Sequence, residues 1–291
     1  MQLWATLFRY FIMGNCRNRI AFFIAASMAL SFFSEAEASS PKYEALADSA
    51  DNYIRREKWE EAERVIISAL KLEPGNFANS LLFSNLGVVR TNQGRYDEAL
   101  EAFDLGVSVA PRASVIRTNR ARTYLLMSRY DEALEDLNVS LGIDSVQEWP
   151  LSMRGLLLMN KNDFEGARKD FMLLAKKFPQ NESSMAGLAY IAEREGKFED
   201  ALRYFDESLS IRDLPETHYS SILLKIRLDR YSEASEELRG CISKYPEDAM
   251  FYLFRGYLHK LNYRNEEAAA DKKIALDKGL DPQIVEQYLP R

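Results

Sequence analysis

The chain has 291 residues, a formal charge of −6, two histidines and two cysteines. The acidic balance argues against nucleic acid as a main ligand, because phosphate binding is driven by clustered Lys and Arg, and it reads instead as an acidic solvated surface. Length alone suggests about two domains, while nine prolines among abundant Ala, Leu, Glu, Arg and Lys point to a helix-rich chain.

Residues 1–38 read as an export signal. Arg17 and Arg19 supply a basic start, residues 20–33 form an apolar run of 14, and Ala36-Glu37-Ala38 is an A-x-A cleavage site. The run is too short to span a bilayer comfortably, so no stable membrane span is expected once it is removed. Met13 is an alternative start, and an uncleaved anchor built from both apolar patches is the alternative fate. Cys16 precedes the basic and apolar regions instead of ending them, which argues against a lipid anchor. Cleavage near Ala38 leaves Cys241 as the sole cysteine, so no intrachain disulfide is expected. Residues 39–42 are expected to be a linker.

Beyond the linker one motif recurs. Gly94-Arg95-Tyr96-Asp97-Glu98-Ala99-Leu100 returns as Ser128-Arg129-Tyr130-Asp131-Glu132-Ala133-Leu134 after 34 residues. Looser copies surround Ala62, Ala167, Ala201, Ala234 and Ala268. A second set of small residues, Ala50, Gly87, Ala121, Gly155, Ala189 and Gly256, lies 12 residues ahead of the alanine of its own repeat. Apolar positions at helical spacing and a polar turn between two runs give helix, tight turn, helix. Small residues at fixed places let two backbones approach closely. A period of this length means stacked supersecondary units.

These residues resemble the tetratricopeptide repeat family. Counted from Ser80, the second repeat carries Phe83, Leu86, Gly87, Ala99, Phe103 and Pro111 at the pattern positions; the first carries Tyr53, Ala62, Ala69 and Pro74. The fourth carries Gly155, Ala167, Phe171 and Pro179. The resemblance implies an all-α fold, a right-handed α-solenoid of about seven units over residues 43–282. Its repeats lie near 43–76, 80–113, 114–147, 148–181, 182–214, 215–248 and 249–282. Three extra residues separate the first two repeats and one is lost between the fifth and sixth. In the sixth, Ser221, Ile222 and Leu223 compete for the small-residue slot. Asp281-Pro282 looks like an N-cap followed by Pro at N1, opening a short cap at 283–291 with Ile284, Val285, Tyr288 and Leu289 on one face.

Catalytic, cofactor and metal motifs are not found: there is no phosphate loop or nucleophile elbow, and His218 and His259 fall in different repeats. Ser68-Ala69-Leu70-Lys71 lacks its companion motifs and reads as helix surface. Arg120, Arg154 and Arg255 share one repeat position, where each guanidinium is expected to satisfy an acidic side chain or helix end of a neighbouring repeat. Cys241 stands where the pattern has alanine and is expected to be a buried small residue.

In the resembled family the first helices line a concave surface that holds a peptide. Carried over position by position, the groove residues are Arg122, Trp149, Leu156, Met159, Tyr190 and Arg194, a mixture suited to a segment with apolar anchors. The unbroken spacing of repeats three to five leads us to expect a trough there. The family's carboxylate clamp is missing: Asn119 fits one place, but Ser84, Val88, Trp149 and Met153 stand at the others. The expected function is an exported, non-enzymatic scaffold binding a protein or peptide partner. The alternatives are an accessory module of an envelope or polysaccharide-processing assembly and a self-associating structural protein.

Overall fold

The computed structural model describes residues 39–290; the expected export segment lies outside the described residues. Among the described residues there are fifteen helices and no strand. The first helices of the repeats are α1 (Pro41–Arg55), α3 (Asn79–Asn92), α5 (Ser114–Leu126), α7 (Glu148–Asn160), α9 (Glu182–Arg194), α11 (Pro215–Arg227) and α13 (Ala249–Leu261). The second helices are α2 (Trp59–Leu72), α4 (Tyr96–Val109), α6 (Tyr130–Ile143), α8 (Phe164–Lys177), α10 (Phe198–Ile211), α12 (Tyr231–Lys244) and α14 (Asn265–Asp277). A cap, α15 (Pro282–Tyr288), follows.

The chain divides into two compact units, one ending at Asn162 and the other beginning at Asp163. The boundary falls inside the fourth repeat, after α7. In the first unit α1, α3 and α5 lie side by side; in the second, α11 and α13 do so and α15 covers α13 and α14. Val285 and Leu289 of the cap are buried with Leu253, Ala268 and Ala275.

The recurring motif is a helix start. Its aromatic is the first residue of α2, α4, α6, α8, α10 and α12, and the acidic residues that follow, such as Asp97 and Glu98 or Asp131 and Glu132, occupy the first turn. There they face the positive end of the helix dipole. The motif alanines are enclosed: Ala62, Ala99, Ala133, Ala167, Ala201 and Ala234 are all 0 % exposed.

Each first helix ends on a residue in the left-handed conformation, two places before the second helix: Glu57, Gly94, Ser128, Asn162, Gly196, Asp229 and Tyr263. The chain closes this turn by paired backbone bonds. Arg95 N–H donates to Arg90 O and Gly94 N–H to Thr91 O, and Arg264 and Tyr263 repeat the pattern with His259 and Lys260. These are the reverse bonds that satisfy a helix's last carbonyls. Tyr263 holds φ at 60° and is 91 % exposed, so it bears the left-handed strain with little packing in return. Tyr263→Gly is expected to stabilise the second unit by about 1 kcal/mol, read from urea unfolding.

One local expectation is corrected, and one left open between three residues is resolved. Residues 39–42 are not a linker throughout, because α1 begins at Pro41: the Ser40 side chain accepts from Tyr43 N–H and Pro41 supplies a preset φ at the first turn. In the sixth repeat Ile222 fills the small-residue slot, fully buried, and Ser221 beside it takes the seat that arginine holds elsewhere.

Candidate partner-binding surface

In the first unit the first turn of α7 carries Trp149 against α5, where the Arg122 guanidinium carbon lies 4.2 Å from the ring centroid. Arg122 is 8 % exposed and Trp149 is half-buried. The pair presents a cation flattened on an aromatic face, joining two successive first helices. Leu156 and Met159, on the same helix as Trp149, are buried, at 4 % and 2 % exposed. They belong to the helix packing and offer a partner almost no surface. Placing them in a groove is therefore corrected: the carried-over positions do not separate a groove-facing side chain from one wedged between repeats.

In the second unit Tyr190 and Arg194 lie one turn apart on α9. Tyr190 is half-buried, and burial pushes its hydroxyl up; nearby Arg194 opposes the shift and Glu193 adds to it. Arg194 is exposed, with its guanidinium carbon 5.8 Å from the Phe164 ring at the start of α8. One repeat on, Arg227 lies 4.9 Å over the Phe198 ring and also pairs with Glu193 at 2.8 Å. Arg194 is thus placed as part of a repeating staple, an arginine at the end of one first helix laid on the aromatic that opens the preceding second helix. Of the six expected residues, Arg122 and Trp149 come together in one unit and Tyr190 and Arg194 in the other.

The shared arginine position is structural. Arg120 forks onto Asp136, Nε to Oδ2 at 2.7 Å and Nη2 to Oδ1 at 2.6 Å, and reaches Asp104 of the preceding repeat with Nη1 at 2.5 Å. Arg255 forks onto Asp271 at 2.9 and 2.6 Å. Both aspartates are 3 % exposed. The main partner is therefore in the arginine's own repeat, with the neighbouring repeat second. The signal was present as Asp136, Asp170 and Asp271, each 16 residues after the shared arginine.

The sixth repeat, lacking that arginine, assembles a different cluster. Lys225 Nζ and Ser221 Oγ donate to Glu237 Oε2 at 2.8 and 3.0 Å, and His218 Nδ1 meets Glu237 Oε1 at 2.6 Å. His218 Nε2 lies 3.0 Å from Asp213, which also binds Lys244 and Tyr245. Burial pushes the His218 imidazolium down, but hydrogen bonds to Cys241 and Glu237 outweigh it and raise the ring to about 10. The Asp213 carboxyl is held at about 2, chiefly by the Lys244 hydrogen bond. Since the His218 pKa is raised on folding, its contribution is complete below its ordinary value of about 6.5 and is lost as pH climbs through the folded value. The stability gap between the parent chain and His218→Gln is expected to be widest near pH 6 and to close towards pH 10. Urea unfolding of both proteins across that range checks it, and a gap that grows with pH would contradict the assignment.

Helix hairpins in register, with small residues at the crossings and left-handed turns between helices, define an α-solenoid repeat protein. No described helix is long and apolar enough to cross a membrane. A family model described as tetratricopeptide repeat matches residues 48–107, 85–148 and 152–215. The chain belongs to the tetratricopeptide repeat family, a protein-interaction module. Among curated relatives, the tetratricopeptide repeat protein 36 homolog of Drosophila pseudoobscura pseudoobscura is 40 % identical over 95 residues, covering 31 % of this chain and 51 % of that protein. RNA polymerase II-associated protein 3 of Rattus norvegicus is 25 % identical over 194 residues, covering 66 % of this chain and 26 % of that one. The chain thus spans about half or less of these relatives. A crystal structure of a tetratricopeptide repeat protein from Parabacteroides merdae aligns with a TM-score of 0.65 at 24 % identity, covering 86 % of this chain and 98 % of that one, a likeness of fold.

Proposed function

We propose that this protein is an exported, non-enzymatic scaffold that binds a protein or peptide segment on the first helices of its repeats. The supporting observation is the Arg122–Trp149 pair, a half-buried indole held flat by a cation across two neighbouring repeats. Large amphipathic side chains of this kind dominate binding energy when a partner covers them. Tyr190 offers a comparable anchor in the second unit. Export rests on the basic start, the 14-residue apolar run and the Ala36-Glu37-Ala38 site.

A pull-down from native extract compares the parent chain with Trp149→Ala, Tyr190→Ala and the double variant, circular dichroism serving as the folding control. Each truncation is expected to cost about 1–3 kcal/mol in affinity with helical content intact. Recovery of the same partners at full yield on the folded double variant would place binding elsewhere.

A further inference from the structure

We propose that Glu73 and Asn76 form a receptor for the amino terminus that signal cleavage releases, so that processing after Ala38 completes the first repeat. The inference rests on the export reading above, and on contacts at the beginning of the described chain. Ser40 N–H donates to Glu73 Oε1 at 2.9 Å and the Ser40 hydroxyl donates to the same oxygen. Asn76 Nδ2 donates to Ser39 Oγ at 2.9 Å and to Glu73 Oε2 at 2.7 Å. Ser39 and Ser40 are therefore gripped from the far end of the first repeat, 33 to 37 residues away.

The gripping residues close the first repeat, directly before the break in the repeat pattern. Glu73 caps the end of α2, a seat filled in later repeats by Ala110, Asp144, Phe178, Arg212 and Tyr245, so the repeat itself makes no demand for a carboxylate there. Asn76 belongs to the connection that carries the three extra residues between the first and second repeats. The Asn76 amide joins Ser39 to Glu73.

Electrostatics gives the arrangement a use. Before cleavage the Ser39 nitrogen is an uncharged amide; after cleavage between Ala38 and Ser39 it is an ammonium. A cation just ahead of a helix is disfavoured by the positive end of the dipole, here that of α1. One residue of chain spans at most about 3.6 Å, so the new ammonium falls within roughly 6.5 Å of the Glu73 carboxylate. At that range an opposite charge favours the ionised form. Glu73 is already held below the usual carboxylate range by hydrogen bonds from Ser40 and Asn76, and so is ionised when the ammonium appears.

The test uses the full chain with a specific protease site placed directly before Ser39, so that one preparation is measured before and after release. Cleavage is expected to raise the melting temperature by roughly 1–3 °C in the parent chain and to leave Glu73→Gln, which keeps an acceptor for Ser40 without the charge, unchanged. Equal shifts in both, or none in the parent, would overturn the receptor. If Glu73→Gln does not fold, the Ser39 α-amine of the cleaved parent decides: titration above the ordinary value of about 7.7–8.0 supports docking, and titration at that value overturns it. Intact mass of the protein from its native host examines export separately. A chain retaining residues 20–33 would sink the export reading, whereas the melting and titration results report on the receptor itself.

Discussion

Replacing Arg120 with alanine is expected to destabilise the first unit by about 3 kcal/mol, the low end of the range for stripping one partner from a buried ion pair. The Asp136 side chain is 4 % exposed and would lose a two-point fork; Arg117, 3.5 Å away, remains as partial compensation. A surface pair would cost only about 0–1 kcal/mol, so equilibrium unfolding separates the two readings. Replacing both partners by apolar residues, Arg120→Met with Asp136→Leu, should recover most of the loss, because the penalty comes from the orphaned carboxylate. If the double variant is as unstable as the single one, the pair does more than neutralise itself.

The Gly87→Ala variant is expected to lose up to about 3 kcal/mol, although it adds a single methyl group to a helix and should on propensity alone gain stability. A Cβ built on Gly87 would stand 2.6 Å from the Phe103 ring, which is itself 0 % exposed and cannot swing away into solvent. Packing therefore outweighs propensity. Thermal unfolding of Gly87→Ala, alone and with Phe103→Leu, checks the cause: the smaller side chain should return part of the lost stability only in the glycine variant. Gly187 stands in a similar relation to Phe171, its Cβ position 2.5 Å from that ring.

Much of this fold could be read from the residues alone, for a physical reason. The motif alanines must sit where two helices cross, so their spacing fixes the phase of every hairpin. Other features escaped because the sequence carries them ambiguously. The left-handed seat between helices holds glycine at positions 94 and 196, but Glu57, Ser128, Asn162, Asp229 and Tyr263 adopt the same conformation without announcing it. The start of α1 was obscured because Pro41 is both a linker residue and a good first helical residue. Among the candidate groove residues, Trp149 and Tyr190 are amphipathic and remain half-exposed, whereas Leu156 and Met159 follow their apolar character into the packing. Position within a repeat is legible from spacing. Which way a side chain turns depends on the neighbouring repeat.

The two glycine turns bear on how the chain acquires its structure. Closing a hairpin at Gly94 or Gly196 places no side chain in the left-handed region, while Glu57, Ser128 and Tyr263 each carry a strain of roughly 1–2 kcal/mol and Asn162 and Asp229 a smaller one. Repeat arrays order themselves from a local seed outward, each ordered hairpin templating the next. One low-strain seed lies in each unit: α3 with α4 in the first and α9 with α10 in the second. Pulse-labelled hydrogen exchange during refolding should find amides of these two hairpins protected first. The order of synthesis on the ribosome would then place a finished nucleus at residues 79–109 well before the second one emerges, giving the growing chain a folded front half while its back half is still being made.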